Sequence, residues 1–233
     1  MCGRFTLATP AAEWASLFNV EPLPVDPRYN IAPTNNIAVI RDSGERGTLE
    51  AAMVRWGLLP GWTEAPDEFP LLINARSETI ASKPSFADSF RQRRCLAVAD
   101  GFYEWRTDGR EKRPFWIHLP GGRPFGIAAI WDRWSTPASE HSLESCALVT
   151  TEASEDIADV HSRMPVVLDR DQVTSWLDPH TSLDELASLM HSGQPGRFEL
   201  REVSHRVNNV RHDDEACIAR AETQENLFDS DRF

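Results

Sequence analysis

The sequence lacks any hydrophobic run near the roughly 20 residues that a membrane-spanning helix requires. It also lacks a basic N-terminal segment followed by an apolar one, so no secretory signal is predicted. We therefore expect a cytoplasmic protein without a membrane partner. No repeat, low-complexity tract or long linker interrupts the 233 residues, a length sufficient for one domain with a substantial core.

Cysteine is scarce, and its spacing excludes the usual cysteine-based metal sites. The four cysteines lie far apart without a C-x-x-C pair, so we expect no metal and no cofactor. Cys95 and Cys146 lie in apolar runs, which predicts buried thiols, and Cys217 is interpreted as structural. Of the four cysteines, Cys2 is the one whose position suggests a reactive role.

Positive charge is also in deficit, because 24 lysines and arginines oppose 36 acidic residues and the net charge is −12. Phosphate contacts require Lys and Arg, so the overall charge argues against a nucleic-acid-binding protein. A local group of arginines would still create a positive site. Three arginines lie two residues beyond candidate reactive residues: Arg4, Arg76 and Arg163 after Cys2, Asn74 and His161.

Apolar alternation and turn residues predict strands through the middle of the chain, with few helices between them. Strands are expected at 37–41, 48–58, 95–106, 113–119, 124–134, 145–151, 165–169 and 197–204. Helix starts are expected at Thr9-Pro10, Ser85, Ser154, Asp169 and Ser182. The pattern predicts an α+β fold, mostly antiparallel, with a barrel-like mixed sheet as its core and peripheral helices.

The polarity of the chain changes near its C-terminus. We place a single domain at residues 1–212 and an acidic C-terminal tail, partly disordered, at 213–233.

Cys2 gains a distinctive chemistry when Met1 is removed, because one residue then carries a free α-amine and a thiol. The pKa of an α-amine is about 7.7–8.0, so much more of it is neutral at physiological pH than of a lysine amine. Such an amine condenses with an aldehyde to a Schiff base, and the adjacent thiol can then close a thiazolidine ring. The alternative is an incidental cysteine at a chain terminus.

Glu104 is a candidate acid and base. With period-2 alternation it shares a face with Leu96, Val98 and Phe102, and a carboxyl on an apolar face has a raised pKa. Alternatively, Gly101 marks a bulge that turns Glu104 to solvent.

Loop and turn residues supply further candidates. His161 follows a short predicted helix and is a candidate proton shuttle or a packing residue. Asn74 follows an apolar run and could orient a nucleophile or cap a turn. Trp56 and Trp62 flank an aromatic turn that could stack single-stranded nucleic acid, although Trp56 is equally consistent with the core.

These segments together resemble one family, the SRAP (SOS response-associated peptidase) family. The similar motifs follow one another in order along nearly the whole chain: MCGRF at 1–5, RYNIAPT at 28–34, RWGLLPGW at 55–62, LINARSET at 72–79, ADGFYEW at 99–105, VHSRMPVVL at 160–168 and VSHRVNNV at 203–210. The joint occurrence is specific, whereas each motif alone is weak.

The resemblance implies a single α+β domain that captures abasic sites, mainly in single-stranded DNA, as a thiazolidine on Cys2 and so shields the lesion. It implies that Asn74 holds the Cys2 backbone and the opened sugar, that Glu104 assists Schiff-base formation, and that His161 acts on the sugar oxygen. DNA contacts are implied for Arg4, Arg76, Arg163, Trp62, Pro33 and Thr34.

The peptidase name fits autocatalytic removal of Met1 by the same residues, and a lyase activity is a further expectation. We expect a monomer that associates with the nucleoid when bound to DNA, with the replication machinery as a candidate partner.

Two other functions remain open at this stage. Cysteine, histidine and asparagine also form a papain-type set, which would make the protein a peptidase acting on other proteins. A non-covalent reader of modified or single-stranded DNA is the second. Two departures from the family pattern bear on stacking: Thr63 stands where some relatives have a second aromatic, and residues 63–70 are interpreted as an acidic insertion.

Overall fold

Strands dominate the computed structural model, which describes residues 2–45, 47–136, 142–191 and 196–221. The strands in these residues are β1 (Phe5–Leu7), β2 (Arg28–Ile31), β3 (Asn36–Asp42), β4 (Leu49–Trp56), β5 (Asn74–Arg76), β6 (Arg94–Ala99), β7 (Gly101–Asp108), β8 (Glu111–His118), β9 (Phe125–Ser135), β10 (Ser142–Glu152), β11 (Arg163–Pro165), β12 (Val167–Leu168) and β13 (Glu199–Glu202). The helices are α1 (Ala11–Phe18), α2 (Ala87–Gln92), α3 (Glu155–Ala158), α4 (Arg170–Leu177) and α5 (Leu183–Leu189). None of the described helices is long and apolar enough to cross a membrane.

A closed ring of five strands forms the centre of the fold. β3 pairs antiparallel with β4 and β6, β6 pairs with β9, and β9 pairs with β10. β10 then closes the ring by pairing in parallel with β4. Every residue of β6 is buried, which explains why its sequence is a continuous apolar run rather than an alternating one. The predicted α+β fold with a barrel-like, mostly antiparallel sheet is confirmed.

A second, antiparallel sheet has the strand order β13-β8-β7-β1-β2 and joins the barrel at Asp100. The carboxylate of Asp100 accepts hydrogen bonds from Thr6 Oγ1 at 2.5 Å and from the backbone N–H groups of Ala8 and Thr9 at 2.6 and 2.8 Å. The single strand predicted at 95–106 is therefore wrong, because the chain leaves the barrel here and enters the second sheet. A side chain at Gly101 would place its Cβ 2.1 Å from the indole nitrogen of Trp116, so the crossing requires glycine.

Local signals predicted some helix starts and not others. Ser182 caps α5 by accepting from the N–H of Glu185, and Gln172 accepts from the N–H of Asp169, as predicted. Thr9 does not cap α1, because its hydroxyl donates to Asp100 instead. α2 begins at Ala87 rather than at Ser85, and the strand predicted at 165–169 is two short strands. β1, β2 and β5 were not predicted, because three- or four-residue strands are too short for a periodic pattern.

Residues 213–221 contact the domain, although the sequence placed them in the tail. The carboxylate of Asp213 accepts from the N–H groups of Tyr29 and Asn30 at 2.6 and 2.8 Å and pairs with Arg28. Cys217 is fully buried, and Cys95 and Cys146 are buried free thiols as predicted. The rest of the predicted tail, 222–233, lies outside the described residues.

Candidate active site

Cys2 lies three residues before β1 and is fully buried. Its backbone carbonyl accepts a hydrogen bond of 2.8 Å from the side-chain amide of Asn74, and its Sγ lies 3.7 Å from the carbonyl oxygen of Arg4. Burial, together with the nearby carboxylate of Glu104, raises the pKa of the Cys2 thiol well above its ordinary value. The sulfur is therefore a protonated thiol at neutral pH and needs a base before it can react as a nucleophile.

Asn74 reaches Cys2 because β5 pairs in parallel with β10, which places Asn74 opposite Leu148. Its Nδ2 group donates to Cys2. Its Oδ1 atom is buried and accepts no hydrogen bond from the described residues. An unsatisfied buried acceptor is costly unless a ligand or water meets it, so the Oδ1 atom marks a place for a donor beside Cys2.

Glu104 lies on β7 opposite Phe115 and is 3% exposed. Burial raises its pKa to about 7. The predicted buried carboxyl is confirmed, and the alternative that Glu104 faces solvent is wrong, although the chain does change direction beside Gly101. A carboxyl with this pKa is populated in both protonation states at physiological pH, as an acid–base catalyst requires.

His161 lies in the loop between α3 and β11, with its Nε2 atom 4.0 Å from Oε2 of Glu104. Its Nδ1 atom lies 3.0 Å from the backbone nitrogen and 3.1 Å from the carbonyl oxygen of Arg163. The ring can thus accept from the N–H when neutral and donate to the carbonyl when protonated. Burial lowers the pKa of His161, so the imidazole is mainly neutral at physiological pH.

The three predicted phosphate-binding arginines differ in their surroundings. Arg4 is half-buried, and its Nη1 atom donates to Asn30 Oδ1 and to the carbonyl of Val207, both at 2.9 Å. Burial lowers the pKa of Arg4. Arg76 is exposed at the end of β5. Arg163 is paired with a carboxylate that the sequence did not suggest, Glu78.

The two tryptophans of the aromatic turn differ in their exposure to solvent. Trp56 is fully buried and its indole N–H donates to the carbonyl of Ile73, which settles it as a core residue. Trp62 is 56% exposed, and its ring meets that of Phe69 edge to face at 5.7 Å. Phe69 comes from the acidic segment, residues 63–70, so this segment supplies an aromatic partner that Thr63 does not.

Pro33 and Thr34 lie in the turn between β2 and β3, with Thr34 exposed. The N–H of Thr34 donates to the carbonyl of Trp56 at 2.7 Å, and its φ is 77°. A β-branched residue rarely adopts this left-handed conformation, so the surrounding contacts hold the turn in a strained form.

A groove of about 440 Å³ leads to the site, and sequence patterns did not reveal it. Its lining comprises Glu104, Trp105, Thr107, Lys112, His161 and Asn208. The indole N–H of Trp105 donates to Asn208 Oδ1 at 2.8 Å, across 103 positions of sequence, and the motifs ADGFYEW and VSHRVNNV were the available signals. A larger cavity of about 1550 Å³ beside α1 and α4 has none of the predicted residues in its described lining.

The structure therefore places Cys2, Asn74, Glu104 and His161 close together. Arg4 and Arg163 each contact the backbone or side chain of one of these residues. No group of three or more His, Cys, Asp or Glu residues in the described ranges is arranged to hold a metal ion. The fold and site define an α+β barrel protein with a buried N-proximal cysteine beside acid–base side chains.

The chain belongs to the SOS response associated peptidase (SRAP) family, whose family model matches residues 1–210. It is 37% identical over 224 residues to the abasic site processing protein YoqW of Bacillus subtilis (strain 168), covering 94% of this chain and 99% of that protein. It is 33% identical over 222 residues to the abasic site processing protein YedK of Escherichia coli (strain K12), covering 91% and 96%. A crystal structure of a protein from Bacteroides thetaiotaomicron has the same fold, with a TM-score of 0.84 at 24% identity over 95% of this chain and all of that one.

Proposed function

We propose that this protein captures abasic sites, mainly in single-stranded DNA, by bonding their aldehyde to Cys2 after Met1 is removed. The relatives named abasic site processing proteins support DNA with abasic sites as the substrate. The observation that carries the covalent step is the hydrogen bond from Asn74 to the Cys2 carbonyl, with the Asn74 Oδ1 acceptor left over beside it. This arrangement fixes the main chain of the reacting residue and offers an acceptor to a sugar hydroxyl.

The reaction begins when the neutral α-amine of Cys2 attacks the C1′ aldehyde of the ring-opened sugar. The resulting carbinolamine loses one water to give the imine. The Cys2 thiol then adds to C1′, its proton goes to the nitrogen, and a thiazolidine forms. The net change is one amine, one thiol and one aldehyde converted to one thiazolidine and one water.

Glu104 and His161 serve the proton transfers. A carboxyl with a pKa of about 7 can protonate the leaving hydroxyl of the carbinolamine and then, as carboxylate, take the proton of the buried thiol. His161 is neutral and lies beside Glu104, where it acts on the sugar oxygen during ring opening.

The positive residues counter the net charge of −12 locally. Arg4, Arg76 and Arg163 bind the phosphates that flank the lesion, and exposed Trp62 stacks on a neighbouring base. Pro33 and Thr34, which lie in the strained turn, contact the DNA strand. A single strand suits this set, because stacking requires bases that are not already paired.

Met1 must leave before capture, since the nitrogen of Cys2 is an unreactive amide while Met1 is attached. We assign hydrolysis of the Met1–Cys2 bond to the same residues, with water as the second reactant. A general cysteine peptidase is less consistent with the site, because such enzymes depend on a thiol of lowered pKa and burial raises that of Cys2.

The test is a denaturing gel with the mature protein and a single-stranded oligonucleotide containing an abasic site. Intact mass first establishes the loss of Met1. We expect a heat-stable adduct with the parent chain, none with Cys2→Ala, and at most a borohydride-trappable imine with Cys2→Ser. An oligonucleotide with a ring-closed abasic analogue, which has no aldehyde, is the matched control. Absence of the adduct with the parent chain rules out covalent capture, and an unchanged DNA affinity of Cys2→Ala would then favour a non-covalent reader.

A further inference from the structure

Arg163 is held by an exposed carboxylate on another segment of the chain. Glu78 contacts Nη1 and Nη2 of Arg163 with its two carboxylate oxygens, the second at 3.0 Å. Nη2 also donates to the carbonyl of Thr150 at 2.7 Å. The side chains of Arg163 and Glu78 are 15% and 48% exposed, so the guanidinium is largely enclosed while the carboxylate is not.

The backbone segments that carry Arg163 and Glu78 are both attached to β10. Arg163 pairs with Glu152, and Met164 pairs with Thr151, where β11 adds to β10. The N–H of Ser77 donates to the same Thr150 carbonyl at 2.9 Å, which attaches the turn carrying Glu78 to β10. The carboxylate and the guanidinium are therefore presented to one another by segments that are themselves anchored.

One N–H group of Arg163 is available to donate a hydrogen bond to a ligand. Nη1 carries two hydrogens, and its one partner among the described residues is Glu78. An arginine side chain loses about 2 kcal/mol of rotamer entropy when it is fixed, and a guanidinium already held in place does not incur this cost on binding. Glu78 can thus improve phosphate binding although its own charge repels phosphate.

We infer that Glu78 is a positioning residue, which orients the Arg163 guanidinium to bind a DNA phosphate beside the lesion. This inference rests on the proposed function, because the ligand of Arg163 is a phosphate of the captured strand. The inference predicts that removing this acidic residue weakens DNA binding, although the protein has a net charge of −12 and DNA is a polyanion. A carboxylate that acted only through its charge would have the opposite effect.

The experiment measures equilibrium binding of the full chain to a labelled, undamaged single-stranded oligonucleotide by fluorescence anisotropy. Glu78→Ala is expected to weaken binding about threefold or more, the upper range for an exposed ion pair. Glu78→Gln retains one acceptor for Arg163 and is expected to lie between the parent and Glu78→Ala. Glu152→Gln is the matched control, since Glu152 is exposed and stands opposite Arg163 on β10; its loss is expected to leave binding unchanged or tighten it.

The decisive comparison repeats Glu78→Ala in an Arg163→Ala background. With no guanidinium to position, loss of the Glu78 charge is expected to tighten binding or leave it unchanged, so the weakening seen in the parent chain disappears or reverses. An equal weakening in both backgrounds, no effect in the parent chain, or tighter binding in the parent chain would each overturn the inference. The covalent adduct on Cys2 is scored separately with the same proteins, so failure of capture and failure of Glu78 as a positioning residue are distinguishable. A parent chain that binds no undamaged single-stranded DNA would refute the role of Glu78, whereas covalent capture is decided by the adduct alone.

Discussion

The side-chain amide of Asn74 donates a hydrogen bond of 2.8 Å to the backbone carbonyl of Cys2, joining residues 72 positions apart. It attaches the start of the chain to β5 at the edge of the barrel sheet, close to the carboxyl of Glu104. The second residue of a chain would otherwise be expected to be mobile, and this contact holds Cys2 in a buried position.

Asn74→Asp should therefore slow adduct formation by about tenfold or more while the protein stays folded, because it removes the N–H donor and adds charge beside Glu104. The measurement is the single-turnover rate of adduct formation at saturating DNA. Asn36→Asp makes the same chemical change at an exposed position of β3 and serves as control. Equal rates for the two variants would show that the bond to Cys2 has no part in the reaction.

Glu104 should make the stability of the protein depend on pH in a specific direction. Its pKa is raised by burial from 4.5 to about 7, so the folded state favours the protonated carboxyl. The stability that the group contributes is complete below about pH 4.5 and is lost as the pH rises through 7. Glu104→Gln removes this dependence and should be more stable relative to the parent at pH 8 than at pH 5.5.

Denaturant unfolding at several pH values measures this difference, with an expected change of about 1 kcal/mol or more between pH 5.5 and 8. A difference that stays constant over this range would mean that the carboxyl is not desolvated in the folded protein. The same variant should lose most of its adduct formation, because an amide cannot exchange protons with the thiol or the carbinolamine.

The sequence predicted the candidate site best where a reactive side chain lies among apolar residues that are close to it in sequence. The apolar surroundings of Glu104 could be inferred from Phe102, two positions away on β7, whereas Leu96 and Val98 lie on β6 in the other sheet and do not share its face. The crossing at Asp100 was not predictable, because a local break at Asp100-Gly101 is as consistent with a bulge within one strand as with a change of sheet.

Contacts across long sequence separations could not be predicted from local patterns. Arg163 was selected for its position beside His161, yet the Glu78 carboxylate that holds it lies 85 residues away. Asn208 reaches Trp105 across 103 residues in the same manner. The motifs that resemble the SRAP family identified the segments, but a motif does not state which of its members contact one another.

Trp62 and Phe69 should act together in DNA binding, because the edge of one ring supports the other at 5.7 Å. Loss of a stacking aromatic costs about 1–3 kcal/mol per base, so Trp62→Ala should weaken single-strand binding about fivefold or more. Phe69→Ala should have a smaller effect, about threefold, through the freed Trp62 ring. Anisotropy with the undamaged oligonucleotide measures both.

Leu183→Ala, at an exposed apolar position on α5, is the control for this pair. In a Trp62→Ala background, Phe69→Ala should add little. If the two losses were fully additive, Phe69 would contact DNA on its own account rather than through Trp62.

Truncation after Ala221 and truncation after His212 should have different consequences, although both remove predicted tail. Residues 213–221 include the Asp213 carboxylate, which accepts from two N–H groups of β2, and the buried Cys217. A chain ending at His212 should therefore unfold at a melting temperature at least about 4 °C lower than the parent, since buried N–H groups without partners cost about 1–3 kcal/mol.

The shorter chain should also lose DNA affinity, because Asp213 binds the N–H of Asn30 and the Asn30 side chain holds Arg4. Asp213→Ala in the full chain removes the carboxylate without shortening the chain. This variant should show part of the decrease in melting temperature and part of the loss of DNA affinity. The chain ending at Ala221 should retain the parental melting temperature and adduct yield. Identical behaviour of the two truncated chains in thermal unfolding and anisotropy would place the functional domain boundary at 212, and would remove the link from Asp213 through Asn30 to Arg4.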